Sequence, residues 1–364
     1  MQYSPGTGYV ASYLGLTAPP PHVQSDWWTA AIQTFVGNGA FRWDLGAFGV
    51  ALFFLISGFV IPFSLSRSSR TQFVMARILR IYPVYIASLA LFAVATCPIA
   101  IWAGEPSRSS VPLIQWFAQA TLIFDMLSMP ILDIVSWTLL VELKFYLVCI
   151  VLASSLRKHN YFAVLMIPII TLAMSFVIKQ TLFLHYSRAL GMDQILWPIS
   201  QLSTQLGFVC FIFCGYFVYL HRQAVMRGVA CALFVVFFWS TELLAIANSG
   251  ISPQDLVQLF LSQLIAMLVF VASYVYGARF RANRFLDWLA AISYPLYTTH
   301  LLVGWGFILI LDRSGLYGFI TVALAVLCVL LFATILHRIV ERPCLALIEK
   351  LKKGGTHFSV AFLR

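Results

Sequence analysis

Residues 49–65 read G-V-A-L-F-F-L-I-S-G-F-V-I-P-F-S-L, and residues 77–85 read R-I-L-R-I-Y-P-V-Y. The first stretch lies in an apolar run of the ~20 residues needed to cross a hydrocarbon layer of ~30 Å. A polar elbow carrying Arg67, Arg70, Arg77 and Arg80 follows, and a second apolar run starts directly after the last arginine. The pattern reads as a membrane hairpin with a cationic elbow. Arg77 and Arg80 are three residues apart, so a helical elbow turns both to one side, where their guanidinium forks suit the oxygens of a phosphate.

Composition settles the broad class. Of 364 residues, 61% are hydrophobic and 10% charged, with a mean hydropathy of +0.90, which no water-soluble surface of this length tolerates. The expected fold is an all-α integral membrane protein, a polytopic helical bundle with the lipid bilayer as its first partner. The net charge of +10 suggests nucleic acid only in a soluble chain; here the basic residues have a topological role and no nucleic-acid partner is expected. The seven cysteines fall almost entirely in apolar runs without a C-x-x-C spacing, so they read as small buried hydrophobes. Cys210 and Cys214 share a helix face, but F-V-C-F-I-F-C-G offers no further ligand, and no metal site is expected.

Nine spans are expected, at about 45–65, 80–101, 136–156, 162–179, 205–221, 228–246, 256–276, 289–311 and 317–337. Residues 112–124 are too short and polar to cross and read as an interfacial or re-entrant helix. Counted on alternate sides, one face holds 17 arginines and lysines and the other 5, with Lys144 inside a span. This asymmetry places the elbow and the C-terminus in the cytoplasm. Three segments follow: an external one at 1–44, rich in Pro and Gly and unlike a signal peptide, a transmembrane domain at 45–345 and a cytoplasmic tail at 346–364.

Ionisable groups within spans are costly, ~2.5–3.5 kcal/mol each on insertion scales, and point to function. Glu142, in S-W-T-L-L-V-E-L-K-F-Y, has Thr138 and Tyr146 on its helix face, so its carboxylate can orient a histidine or a sugar hydroxyl; a structural ion pair is the plainer alternative. Lys144 points elsewhere and reads as a snorkelling side chain. His300, in I-S-Y-P-L-Y-T-T-H-L-L, is a candidate base, strut or proton relay, beside Pro295, which kinks its span. Glu242, near a span end, reads as reaching the interface. Arg77 and Arg80 are read either as positive-inside anchors or as binders of a nucleotide-like donor's phosphates, with Glu341 in V-E-R-P as a partner for one of them. His159, His185, His221 and His337 read as solvated.

These four stretches, G-V-A-L-F-F-L-I-S-G-F-V-I-P, R-I-L-R-I-Y-P-V-Y, S-W-T-L-L-V-E-L-K-F-Y and I-S-Y-P-L-Y-T-T-H, in that order, resemble the membrane acyltransferase family 3 of bacterial O-acyltransferases, over residues 45 to 345. The resemblance implies ten helices with both ends in the cytoplasm of a bacterial inner-membrane protein. It also implies transfer of an acyl group, usually acetyl from acetyl-CoA, to a hydroxyl of a surface carbohydrate. It matches Arg77 and Arg80 to an Arg-x-x-Arg donor-binding pair and Glu142 to the acid of a Ser-x-x-x-x-x-Glu-x-x-Phe-Tyr motif. Two departures stand out: Ala51 occupies a place where the family often has Asp, and the family's first helix, with its catalytic His, has no counterpart. A late start of the given sequence, or substitution of the base by His22, are the two explanations. Acyl transfer, with Glu142 and His300 as catalytic candidates and acyl-CoA as a donor substrate without a permanently bound cofactor, is the leading reading. A transporter or flippase of an anionic or glycan substrate, or an inactive truncated member, are the alternatives.

Overall fold

The structure is a computed structural model that describes residues 44–102, 112–179, 193–279, 283–316 and 319–353. The N-terminal segment, including His22, lies outside the described residues. All regular structure among the described residues is helical. Seven helical stretches are long and apolar enough to cross a membrane: Leu45–Ser66, Arg70–Val94, Tyr161–Ile178, Pro198–Arg222, Gly228–Asn248, Pro253–Tyr276 and Phe319–Leu351. The spans expected at 136–156 and 289–311 are also helices, α4 (Ser136–Val151) and α10 (Arg284–Arg313). The first has only 16 residues before Leu152 breaks it. The chain is a multi-pass, all-α membrane protein, and it divides into two compact units.

One unit comprises residues 41–73 and 121–280. It is built on α1 (Leu45–Ser66) and α7 (Asp193–Arg222). Asp44 caps α1 by accepting from the Ala47 N–H at 2.9 Å, while its own N–H donates to Ser262 Oγ at 2.9 Å on α9 (Pro253–Tyr276). Residues Val209 to Leu220 of α7 are buried on every face, so α7 is the unit's central helix. The α1–α7 crossing depends on two glycines. A Cβ on Gly58 would lie 1.8 Å from the Ile212 carbonyl oxygen, and one on Gly215 2.1 Å from that of Leu55. Small residues at such a crossing bring two backbones together where lipid gives no hydrophobic drive for association. Around this pair pack α4, the short α5 (Ala153–Arg157), α6 (Met166–Lys179), α8 (Gly228–Asn248) and α9.

The elbow is tighter than the hydropathy pattern suggests. α2 (Arg70–Trp102) begins only three residues after α1 ends, so Arg70, Arg77 and Arg80 are all helical. S-R-T-Q at 69–72 forms a capping box: the Gln72 N–H donates to Ser69 Oγ at 3.2 Å, and the Ser69 N–H to Gln72 Oε1 at 3.0 Å. Arg157 of α5 donates to the carbonyls of Leu65 (3.2 Å) and Ser68 (2.7 Å), satisfying the open end of α1.

Among the described residues, the other unit comprises 74–102, 112–120, 283–316 and 319–353. It contains most of α2, the short α3 (Leu113–Ala120), α10, α11 (Phe319–Leu336), a π-helical turn at His337–Glu341 and α12 (Arg342–Lys353). The expected interfacial helix is thus eight residues of α3, with Leu113, Ile114 and Phe117 exposed and Gln119 buried beneath. The Tyr85 hydroxyl donates to the Gln119 carbonyl at 2.8 Å, holding α3 on α2. Two bonds join α2 to α10: Ser88 Oγ to Thr298 Oγ1 at 2.8 Å, and Tyr294 Oη to the Ile81 carbonyl at 2.8 Å.

Candidate active site

Glu142 sits two turns inside α4 and is 6% exposed. Tyr146, one turn on, donates its hydroxyl to Glu142 Oε1, as the i, i+4 spacing predicts. A second donor comes from α1, where Ser57 Oγ lies 3.5 Å from the same oxygen. Ser57 precedes Gly58, so the close α1–α7 crossing also sets where this hydroxyl stands. The Thr138 hydroxyl donates to the Val135 carbonyl at 3.0 Å. Tyr146 is itself packed edge-on against Phe73, with centroids 6.1 Å apart. A buried carboxylate held by hydroxyls is oriented and is stabilised as an acceptor of further hydrogen bonds.

Lys144 does not snorkel. Its Nζ pairs with Asp125 Oδ2 at 2.6 Å and donates to Gln205 Oε1, with the two ion-pair side chains 15% and 7% exposed. The loop of residues 121–135, which turns through positive-φ backbone at Leu122 and Ser128, folds Asp125 inward to meet it. Charge inside the unit is therefore neutralised locally instead of reaching the bilayer surface. Asp133 in the same loop is half-buried, and burial pushes its carboxyl up to about 6, opposed only by the Val135 N–H it accepts at 3.2 Å. Ser136, which opens the Ser-x-x-x-x-x-Glu stretch, is fully buried and donates from Oγ to the Asp133 carbonyl at 2.5 Å.

Glu242 also departs from its expected place at the interface. It is fully buried and accepts from Gln263 Nε2 at 2.5 Å, while Gln263 Oε1 accepts from Trp239 Nε1 at 2.6 Å. It lies where α7 packs on α8: a Cβ on Gly207 of α7 would stand 3.6 Å from Glu242 Cα.

In the unit that holds α2, Arg77 is half-buried and Arg80 exposed, one turn apart on α2. His300 is exposed on α10, and its Nδ1 lies 2.7 Å from the Tyr297 carbonyl oxygen. A carbonyl only accepts, so Nδ1 carries the hydrogen and Nε2 keeps its lone pair, the tautomer a base requires. The Thr298 and Thr299 hydroxyls turn back to the Pro295 carbonyl, at 3.1 and 2.7 Å, the local back-bonding expected of threonines within a helix. Glu341 pairs with His337 Nδ1 at 2.7 Å across the π turn, not with an arginine of α2, so His337 is not a solvated side chain. The sequence-derived candidates are thus divided, with Glu142 in one unit and Arg77, Arg80 and His300 in the other. Among the described residues no group of three His, Cys, Asp or Glu could hold a metal, and Cys210 and Cys214 are buried free thiols.

Residues 15–338 match the family described as acyltransferase domain, acyltransferase family 3. The chain belongs to this family. The match covers most of the sequence and begins ahead of the motifs on which the resemblance rests. No curated protein and no solved structure matches the chain. As a membrane acyltransferase it needs a site for an activated acyl donor and a base or oriented acid for the acceptor, and the residues above are of those types. The partners that sequence reasoning missed are Ser57, Asp125, Gln205 and Gln263, all uncharged or placed in loops. Only the S-G pair at 57–58, inside an apolar run, hints at a close crossing.

Proposed function

We propose that this acyltransferase moves an acyl group from a cytosolic acyl-CoA, acetyl-CoA being the simplest donor, to a hydroxyl of a cell-surface carbohydrate. In this reading the protein lies in the bacterial inner membrane with its elbow and C-terminus in the cytoplasm. Arg77 and Arg80, at the elbow end of α2, bind the donor's phosphates through their guanidinium forks. His300 Nε2 removes the acceptor hydroxyl's proton as its oxygen attacks the thioester carbonyl. The carbon–sulfur bond then breaks, and the proton passes to the departing thiolate, giving an ester and free CoA. Glu142, fixed by Tyr146 and Ser57, is the oriented acid of the other unit and a second catalytic candidate.

The observation that carries this reading is the buried Glu142 carboxylate, held at fixed orientation inside a membrane helix. Such a group is expensive to keep there without use. The test is transfer of radiolabelled acetyl from acetyl-CoA to endogenous glycan in membranes expressing the full chain. Glu142→Ala and His300→Ala are each expected to lower the rate by about 10²–10⁴-fold. Arg80→Ala is expected to raise the donor's KM. Unchanged acetylation in Glu142→Ala and Arg80→Ala, with the protein present at wild-type level, would sink the assignment.

A further inference from the structure

The unit that holds Arg77, Arg80 and His300 also contains a half-open groove of about 230 Å³, lined by residues of α2, α10 and the α11–π-turn segment. Ala87 and Leu91 come from α2, Thr299 from α10, and Phe332, Ile335 and Ile339 from the last wall. The lining is hydrocarbon almost throughout. Its hydroxyl, on Thr299, is committed to the Pro295 carbonyl, so the groove presents no free donor at that point. Amides of a pantetheine arm or hydroxyls of a sugar would lose their hydrogen bonds on entering, whereas an alkyl chain loses nothing. A π turn at 337–341 widens the wall where α11 meets the groove, a feature that often accompanies ligand sites.

The groove stands in register with the elbow arginines. Ala87 and Leu91 are 7 and 11 residues beyond Arg80, so all three share one face of α2. At 1.5 Å per residue, Ala87 lies ~10 Å and Leu91 ~16 Å along the axis from Arg80. Helical side chains lean toward the N-terminus, which carries the Arg80 guanidinium further from the groove. A phosphate bound there is thus separated from the hydrocarbon wall by roughly the length of an extended pantetheine arm. A membrane phospholipid, whose chains begin close to its phosphate, fits this separation poorly.

Resting on the donor reading above, we infer that this groove is the acyl-chain subsite of the enzyme. It receives the hydrocarbon chain of an acyl-CoA whose phosphates lie on Arg77 and Arg80. The site therefore accepts donors longer than acetyl.

The test is equilibrium binding of CoA, acetyl-CoA, butyryl-CoA and hexanoyl-CoA to the full chain in nanodiscs. These are all short enough to stay largely out of the lipid. Affinity is expected to rise by about two- to fourfold per added methylene in the wild type. Ala87→Trp fills the groove and should flatten the series while leaving the affinity for CoA itself unchanged. Leu91→Ala enlarges the groove and should extend the rise to longer chains, which keeps the inference testable if the tryptophan variant does not fold. A flat series in the wild type, with CoA binding intact and sensitive to Arg80→Ala, overturns the subsite and leaves the donor reading standing. A rise that survives in Ala87→Trp, with a phospholipid lost from that variant in native mass spectra, also overturns the subsite and identifies a lipid as occupant. Absence of any CoA binding overturns both readings.

Discussion

Replacing Gly58 with alanine tests the packing on which the Glu142 environment rests. The new methyl would stand 1.8 Å from the Ile212 carbonyl oxygen, 2.9 Å from its carbon and 3.2 Å from Gly215 Cα. These are backbone atoms in the middle of α7, so no rotamer change relieves the clash. Even to reach 3.0 Å, which Cβ contacts rarely go below, the two helices must part by about 1.2 Å. A radial gap of ~0.5–1 Å already forfeits a quarter to a half of each dispersion contact, and overpacking of this kind costs ~1–3 kcal/mol. The same movement carries Ser57 away from Glu142, and at 3.5 Å that hydrogen bond has no margin. Gly58→Ala should therefore lower the apparent unfolding temperature in detergent and reduce acyl transfer together. Gly49→Ala on the same helix is the control. Its methyl meets nothing within 4 Å, and it should be neutral or stabilise by a few tenths to ~1 kcal/mol. Wild-type stability and activity in Gly58→Ala, or equal losses in both variants, would refute the reasoning.

The other predictions concern charge in the 121–135 loop. Because burial raises the folded-state pKa of Asp133 to about 6 from an ordinary 3.8, the folded protein holds this proton more tightly than the unfolded chain does. Stability from this group is full below about pH 4 and is lost as pH rises through 6, by up to ~3 kcal/mol at 1.36 kcal/mol per pKa unit. Asp133→Asn should thus raise the unfolding temperature at pH 8 and leave it nearly unchanged at pH 3; an increment independent of pH would contradict this. Removing either partner of the Lys144–Asp125 pair leaves a charge uncompensated and should cost ~3–5 kcal/mol, whereas Lys144→Met with Asp125→Asn should recover part of the loss. A double-mutant cycle in denaturant reads the coupling, and additive single effects would show that the pair does not act as a unit.

The hydropathy of this chain determined its class by itself, because each span must satisfy its own backbone and be apolar over ~20 residues, a purely local demand. The helical placement of Arg77 and Arg80 was also local, since the S-R-T-Q capping box at 69–72 starts α2 ahead of them. So was the Tyr146 hydroxyl on Glu142, four residues away on one helix face. Only the tertiary structure decided the remaining environment of the acids. Ser57 meets Glu142 across 85 residues of sequence, Lys144 meets Gln205 across 61, and Glu242 is buried with Gln263 as its partner beside Gly207. Those contacts depend on the register and distance between helices, which apolar sequences facing one another leave open. In this protein that register is set by backbone approach at Gly58 and Gly215, where the informative feature is a missing side chain.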